Sequence, residues 1–266
     1  MLIIRRYLRL YKVYCLQFIK GIVQSKVDFF MGLVGFFIVQ FTGVMFLFLV
    51  FKKIPSIDGW SFDEILLMYG FAQLPRGIDH FFTDNLWAVA WNKVIFGEFD
   101  RYMVRPINLL FQVISEKLQT DAMGEIIVGS LLIFISAKNN VINFNTQKLI
   151  VFIFSIIVGS ILYTAIKLIY SSLAFWLQRS GTFLYTVYQT ADFSKYPIQI
   201  YSKTIRFIIS WLIPFAFVSY FPISYFLGRS TFVSTIGLEF VITIIFSIIA
   251  CMVFSKGTQI YESAGN

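Results

Sequence analysis

Four titratable side chains fall close together in an otherwise apolar stretch: Arg76, Asp79, His80 and Asp84. Spacings of three (Arg76 to Asp79) and four (Arg76 to His80, His80 to Asp84) would stack them on one stripe of a helix, where they can pair along its length. Around them stand Ile65, Leu66, Leu67, Phe71, Leu74, Phe81 and Phe82. An Arg or Asp at the centre of a membrane span costs about 2.5–3.5 kcal/mol, so such residues face protein or water rather than lipid. Three arrangements fit. The helix ends near Ile78 and leaves the rest at the interface; or the group lines a translocation path or gate; or Asp79, His80 and Asp84 relay protons.

Other chemistry has little support. No G-x-x-x-x-G-K-[ST] loop and no G-x-G-x-x-G turn occurs, so no ATP site of the usual kind is expected on this chain. A single His, no H-E-x-x-H and no G-x-S-x-G argue against metal and nucleophile-elbow catalysis. Cys15 and Cys251 lie far apart without metal-ligand spacing and read as free packing thiols. The expectation is a chain that is not an enzyme and binds no metal or cofactor itself.

The elements that must hold these residues follow from composition. Of 266 residues, 58% are hydrophobic and 14% charged, with 32 Phe, and the mean hydropathy is +0.76. That leaves too little polar surface for a water-soluble domain. The net charge of +8 comes without a basic stripe interleaved with base-reading residues, so no nucleic acid partner is expected. About 20 apolar residues cross a bilayer, and the chain reads as an all-α integral membrane protein in one domain, 1–266, with six spans.

Residues 1–28 scatter Arg5, Arg6, Arg9, Lys12, Lys20 and Lys26 among Leu8, Tyr11, Leu16, Phe18 and Ile22, as in an amphipathic helix lying along lipid headgroups. No small-residue cleavage site follows, and the N-terminus is expected to be kept. Span one runs over 29–51, with Gly32, Gly35 and Gly43 for close helix approach. Span two (62–88) carries the charged cluster. Residues 92–119 are amphipathic and lie outside the hydrocarbon. Span three covers 122–137 and span four 149–177, with Lys167 expected to snorkel to the headgroups and Ser155 and Gly159 as a small-residue packing pair. A polar loop at 178–203 precedes spans five (205–221) and six (236–255). Trp60, Trp87, Trp91, Trp176 and Trp211 read as interfacial belts. With the N-terminus inside, 15 Lys and Arg fall in inner segments and 5 in outer loops, which favours N-in, C-in.

At 97–108 the chain reads Gly-Glu-Phe-Asp-Arg-Tyr-Met-Val-Arg-Pro-Ile-Asn, and here it resembles the membrane subunits of type-2 ABC exporters that carry a G-x-[FLI]-D-x-x-[LM]-x-[RK]-P element after the second span. Tyr196-Pro197, Ile213-Pro214-Phe215-Ala216-Phe217 and Phe221-Pro222 look like the same branch's flanks of span five. The resemblance implies that 92–119 is a cytoplasmic coupling segment, with Gly97, Phe99, Asp100, Arg101, Arg105 and Pro106 meeting a separate ABC ATPase dimer that holds ATP and Mg. It implies a second six-span permease, a different polypeptide or a second copy, and a place in the cytoplasmic (inner) membrane of a prokaryote among its lipids. Each permease then forms half of a path for an amphiphilic compound, lipid, peptide or drug. The alternative is a proton-coupled secondary carrier using Asp79, His80 and Asp84, for which no internal inverted repeat is visible.

Overall fold

A computed structural model describes residues 5, 7, 9–17, 26–139, 141, 142, 145–177 and 180–262. Arg6, Leu8, Phe18, Lys20 and Ile22 of the reading above, and residues 178 and 179 of its polar loop, lie outside these. Every regular element among the described residues is helical. Helix α1 covers 9–17, and α2 (Lys26–Phe51) follows. α3 (Phe62–Thr83) is extended by α4 (Asn85–Ala88) and a π turn (Val89–Lys93). Two short helices, α5 (Asp100–Met103) and α6 (Leu109–Ser115), lead to α7 (Met123–Lys138) and α8 (Thr146–Ser172). The C-terminal third holds α9 (Gly181–Gln189), α10 (Lys203–Phe207), α11 (Tyr220–Phe226) and α12 (Leu238–Ile260).

Four stretches among the described residues are long and apolar enough to cross a membrane: Phe30–Phe51, Thr120–Lys138, Thr146–Phe175 and Val233–Ile260. They match spans one, three, four and six. α3 and its extension supply a fifth long rod, held apart from that set by its charges. It does not end near Ile78. Although Pro75 removes one backbone donor, the helix runs on through Asp79, His80 and Thr83, because the residues beyond Pro75 are packed between α7 and α8.

α3 forms the axis of the bundle. Its N-terminus is closed by a capping box, Ser61 accepting from the Glu64 amide and Glu64 from the Ser61 amide, and Glu64 pairs with Arg229 at 2.7 Å. Arg229 lies over the ring of Trp60, which is only 2% exposed and is a packed residue rather than an interfacial one. Against α7 the backbones come very close. A Cβ on Gly129 would stand 2.7 Å from the Gly70 carbonyl, and one on Gly77 would stand 2.8 Å from Ile126. In a lipid environment such close van der Waals packing, not apolar burial, is what joins helices. Gly159 packs on Pro75 and Val218, and Ser155 bonds Glu239 of α12, so this pair serves packing as expected. Of the span-one glycines, Gly43 meets the Tyr69 hydroxyl, whereas Gly35 has open space around it. α2 lies at the rim and leaves Phe30, Val34, Ile38 and Phe41 exposed.

Two expectations change. Of the expected polar loop 178–203, the described residues 180–203 are not a loop: α9 and a 3-10 stretch (Thr190–Lys195) are packed into the bundle, with Leu184, Tyr188, Ala191 and Ser194 buried. Asp192 and Lys195, two of the charged side chains that made the segment look like a loop, are tied to each other, and Asp192 also to Arg76 of α3. Span five is not a single helix over 205–221. α10 and a π turn (Ile208–Leu212) stop at Ile213-Pro214, a 3-10 turn (Phe215–Val218) follows, and the chain bends again at Ser219 before α11. Pro214 has no N–H to continue a ladder. Phe215, Phe217 and Val218 are buried against α8 and α9, and the Ser219 hydroxyl bonds the Met68 carbonyl of α3.

Candidate functional site

Arg76, Asp79, His80 and Asp84 form no ion pair with one another: Asp79 and Asp84 reach Lys167 of α8, and Arg76 and His80 reach Glu125 of α7. Asp79 is 1% exposed. Its Oδ2 lies 2.8 Å from Lys167 Nζ of α8 and also accepts from the Tyr188 hydroxyl. Its Oδ1 accepts from Thr83 at 2.6 Å and from Thr164 at 2.8 Å. Both carboxylate oxygens are thus fully engaged. Lys167 also stands 3.5 Å from Asp84, and its side chain is wholly buried. It does not snorkel. Thr164 and Lys167, three residues apart, lie on one face of α8 and both engage Asp79.

One turn toward α7, Arg76 Nη1 meets Asp192 at 2.8 Å and Arg76 Nε lies 3.5 Å from Glu125 Oε1. His80 Nδ1 shares that same Glu125 oxygen at 3.1 Å and stacks its ring on Tyr188 at 5.4 Å. Asp192 is also held by Lys195 at 2.7 Å. The result is a continuous web across α3, α7, α8, α9 and the 3-10 stretch that follows it. Lining one side of the web is a cavity of about 410 Å³ that opens between α2, α3, α7 and α9, with Arg76, His80 and Asp84 in its wall.

Sequence reasoning singled out Arg76, Asp79, His80 and Asp84, and all four belong to this web. It missed Glu125, Lys167, Tyr188, Asp192 and Lys195. Lys167 carried a usable signal: it is the one charge of α8 beyond the helix's first turn, and a charge inside an apolar helix needs a partner. Glu125 and Asp192 sat where a span start and a loop were expected, and nothing local sets them apart.

The second group lies at the end of the α3 rod. Gly97 takes φ +69, a left-handed conformation that glycine adopts without strain, and turns the chain back. Phe99 is fully buried, its ring 5.0 Å from Phe175 and 5.3 Å from Tyr261, and Asp100 opens α5. Tyr102 is buried between Lys93 and Glu116, accepting from the first and donating to the second, while Lys93 pairs with Glu116 at 2.5 Å. Arg101 closes on the other Glu116 oxygen. Burial pushes the Glu116 carboxyl up, but the hydrogen bonds from Lys93 and Tyr102 and the two cations outweigh it and hold the group below its ordinary value. Burial and the Glu116 carboxylate push the Tyr102 hydroxyl up to about 12.

Within the amphipathic segment 92–119 the chain forms two short helices, α5 and α6, rather than one. Arg105 and Pro106 fall in the bend between them, and Asn108 caps α6 by accepting from the Phe111 amide at 3.0 Å. Tyr7 stacks edge-on to Phe111 at 4.7 Å and accepts from the Asn108 amide, so the N-terminal segment rests on α6. Of the six residues expected to meet a partner, Phe99 faces inward, and Arg101 is exposed but tied to Glu116 of this chain. Met103, Val104, Arg105 and Pro106 project outward, with Val104 81% exposed.

Compared with known families, residues 37–265 match the model of the family described as ABC-2 family transporter protein. No curated protein and no solved structure gives a significant match.

Proposed function

The chain belongs to the ABC-2 transporter family, and from that premise we propose that it is the membrane-spanning permease subunit of an ATP-driven exporter, forming half of a path for an amphiphilic compound. Two such subunits of six crossings each, identical or different, flank the path in the cytoplasmic membrane, both termini facing the cytoplasm. ATP and Mg are held by a separate ATPase dimer, and this chain has no catalytic role of its own.

The observation that carries the reading is the bend at Met103–Pro106. It is exposed on one side and fastened on the other, through Phe99, Tyr102 and the Lys93–Glu116 pair, to the end of the α3 rod. A push received at the bend is transmitted as a rigid-body displacement of α3, because these links leave little slack. α3 bears the charged web and one wall of the cavity, so the same displacement rearranges the side chains a substrate would meet. A proton-coupled carrier has less support. Asp79, its principal relay, has both oxygens saturated by Lys167, Thr83, Thr164 and Tyr188.

Affinity purification of the chain from its own membranes tests the reading. The expected result is a stoichiometric ATPase together with a second permease, and ATP-dependent movement of substrate after reconstitution. Substrate movement by the purified chain alone, driven by a proton gradient and indifferent to ATP, would overturn it in favour of the carrier.

A further inference from the structure

Resting on the permease reading, we propose that the cavity between α2, α3, α7 and α9 is a binding site for an organic cation carrying an apolar body, and hence that the transported compound is a cationic amphiphile. Its volume of about 410 Å³ falls in the range of small-molecule sites.

The charges around it do not balance. Arg76, Lys167 and Lys195 face Asp79, Asp84, Glu125 and Asp192 within the web, and Asp121 brings one more carboxylate to the cavity wall without an ion-pair partner among the described residues. Three cations stand against five carboxylates, and counting His80 as a fourth cation still leaves the carboxylates in excess. Glu125 is the most telling of them. Its side chain is 7% exposed, its Oε1 serves both His80 and Arg76, and its Oε2 is buried with no hydrogen-bond partner among the described residues. A carboxylate buried in this way is costly unless its charge is balanced, and a cation in the adjoining cavity adds to that balance. An anion is disfavoured, because the guanidinium of Arg76 is already turned to Asp192 and Glu125.

The rest of the lining suits the apolar part of such a ligand. Phe36, Trp87 and Tyr185 contribute aromatic surface to the cavity, and aromatic faces attract organic cations beyond their apolar area. Gly32 leaves the α2 side open, with nothing closer to a Cβ there than Asp121 at 3.7 Å. A long apolar chain can therefore leave the cavity along the exposed side of α2, where Phe30, Met31 and Val34 lie.

The test uses the full chain in a non-ionic detergent and two probes of nearly the same shape and opposite charge, tetraphenylphosphonium and tetraphenylborate. The expected result is saturable binding of the phosphonium, with the borate at least about tenfold weaker. Asp121→Asn and Glu125→Gln should each weaken the phosphonium by about tenfold and leave the borate unweakened. Glu125→Gln also removes a partner of Arg76; Asp121→Asn, at a half-buried carboxylate, keeps the test open where the first variant does not fold. Equal binding of the two ions, or unchanged phosphonium binding in a folded Asp121→Asn chain, would overturn the proposal. Displacement of the phosphonium by dodecylammonium but not by a short-chain phosphatidylcholine assigns the cation to a free amphiphile, and displacement by both to a lipid headgroup. Binding reads the cavity and copurification reads the permease. Cation binding without an associated ATPase removes the permease reading, and an associated ATPase without cation selectivity removes this one.

Discussion

Lys167 Nζ lies 2.8 Å from Asp79 Oδ2 in the middle of the bundle, and neither side chain exposes any surface. Each charge is affordable only because of the other and of the hydroxyls of Thr83, Thr164 and Tyr188. Taking away one partner of a buried pair leaves an uncompensated charge, a loss of about 3–5 kcal/mol, whereas replacing both can be close to neutral. Asp79→Asn and Lys167→Met are each expected to lower the melting temperature of the purified chain sharply, and the double variant to recover a good part of the loss. A double-mutant cycle reads this directly. Strictly additive losses would mean that the two residues do not act as a pair.

The close approach of α3 and α7 gives a second expectation. Gly129→Ala would bring a Cβ to 2.7 Å from the Gly70 carbonyl and 3.0 Å from the side chains of Gln73 and Leu74. Backbone cannot move aside as a flexible side chain can, so overpacking here should cost about 1–3 kcal/mol. Gly35→Ala, on α2 with nothing within 4 Å, should leave stability unchanged or raised slightly through helix propensity. Thermal unfolding of the two variants side by side checks the contrast. Equal effects would show that α2 and α7 are packed alike.

What could be read in the chain was what repeats along it. The apolar runs located α2, α7, α8 and α12 to within a few residues, since a span is a property of consecutive side chains. The charged cluster on α3 was found because charge in an apolar run is conspicuous. Its partners were not, because Lys167 is 88 residues from Asp79 along the chain and Asp192 is 116 from Arg76. A lysine near a helix end and an aspartate among polar residues look the same whether they face headgroups or a buried arginine. The broken course of 203–226 was half visible: Pro214 has no N–H to continue a helix, but only the burial of Phe215 and Phe217 against α8 and α9 shows that the break folds the segment back into the bundle.

The Lys93–Tyr102–Glu116 contact makes the attachment of 97–116 depend on pH. Glu116 is held below its ordinary value of 4.5 in the folded chain. A depressed carboxylate contributes stability that is present above the unfolded value and is lost as pH falls through the folded one. Hydrogen exchange of 97–116 should therefore accelerate as the pH drops from 4.5 downward, after correction for intrinsic rates, while the core of α8 stays protected. In Glu116→Gln the segment should exchange faster already at neutral pH and lose that dependence. An acid response that persists in Glu116→Gln would place the sensitive group elsewhere.

The last expectation concerns how work enters the bundle. Arg105 is exposed in the bend between α5 and α6 and makes no ion pair among the described residues, so the fold itself does not need its charge. Exposed substitutions of this kind change stability by no more than about 0.5 kcal/mol. If the bend is the contact with an ATPase, Arg105 meets acidic groups there, and Arg105→Glu replaces attraction by repulsion across the interface. Such a reversal suppresses a partner by several kcal/mol, which is a loss of roughly a hundredfold or more in association. The variant should insert, fold and melt like the parent, retain its N-terminal contact through Tyr7 and Phe111, and fail to retain an ATPase on purification. Arg101→Glu should behave differently, because Arg101 is tied to Glu116 and its reversal loosens the anchor as well. Normal ATPase recovery and transport with Arg105→Glu would leave the bend as a membrane-surface feature, and the route by which displacement reaches α3 would have to begin at another exposed part of the chain.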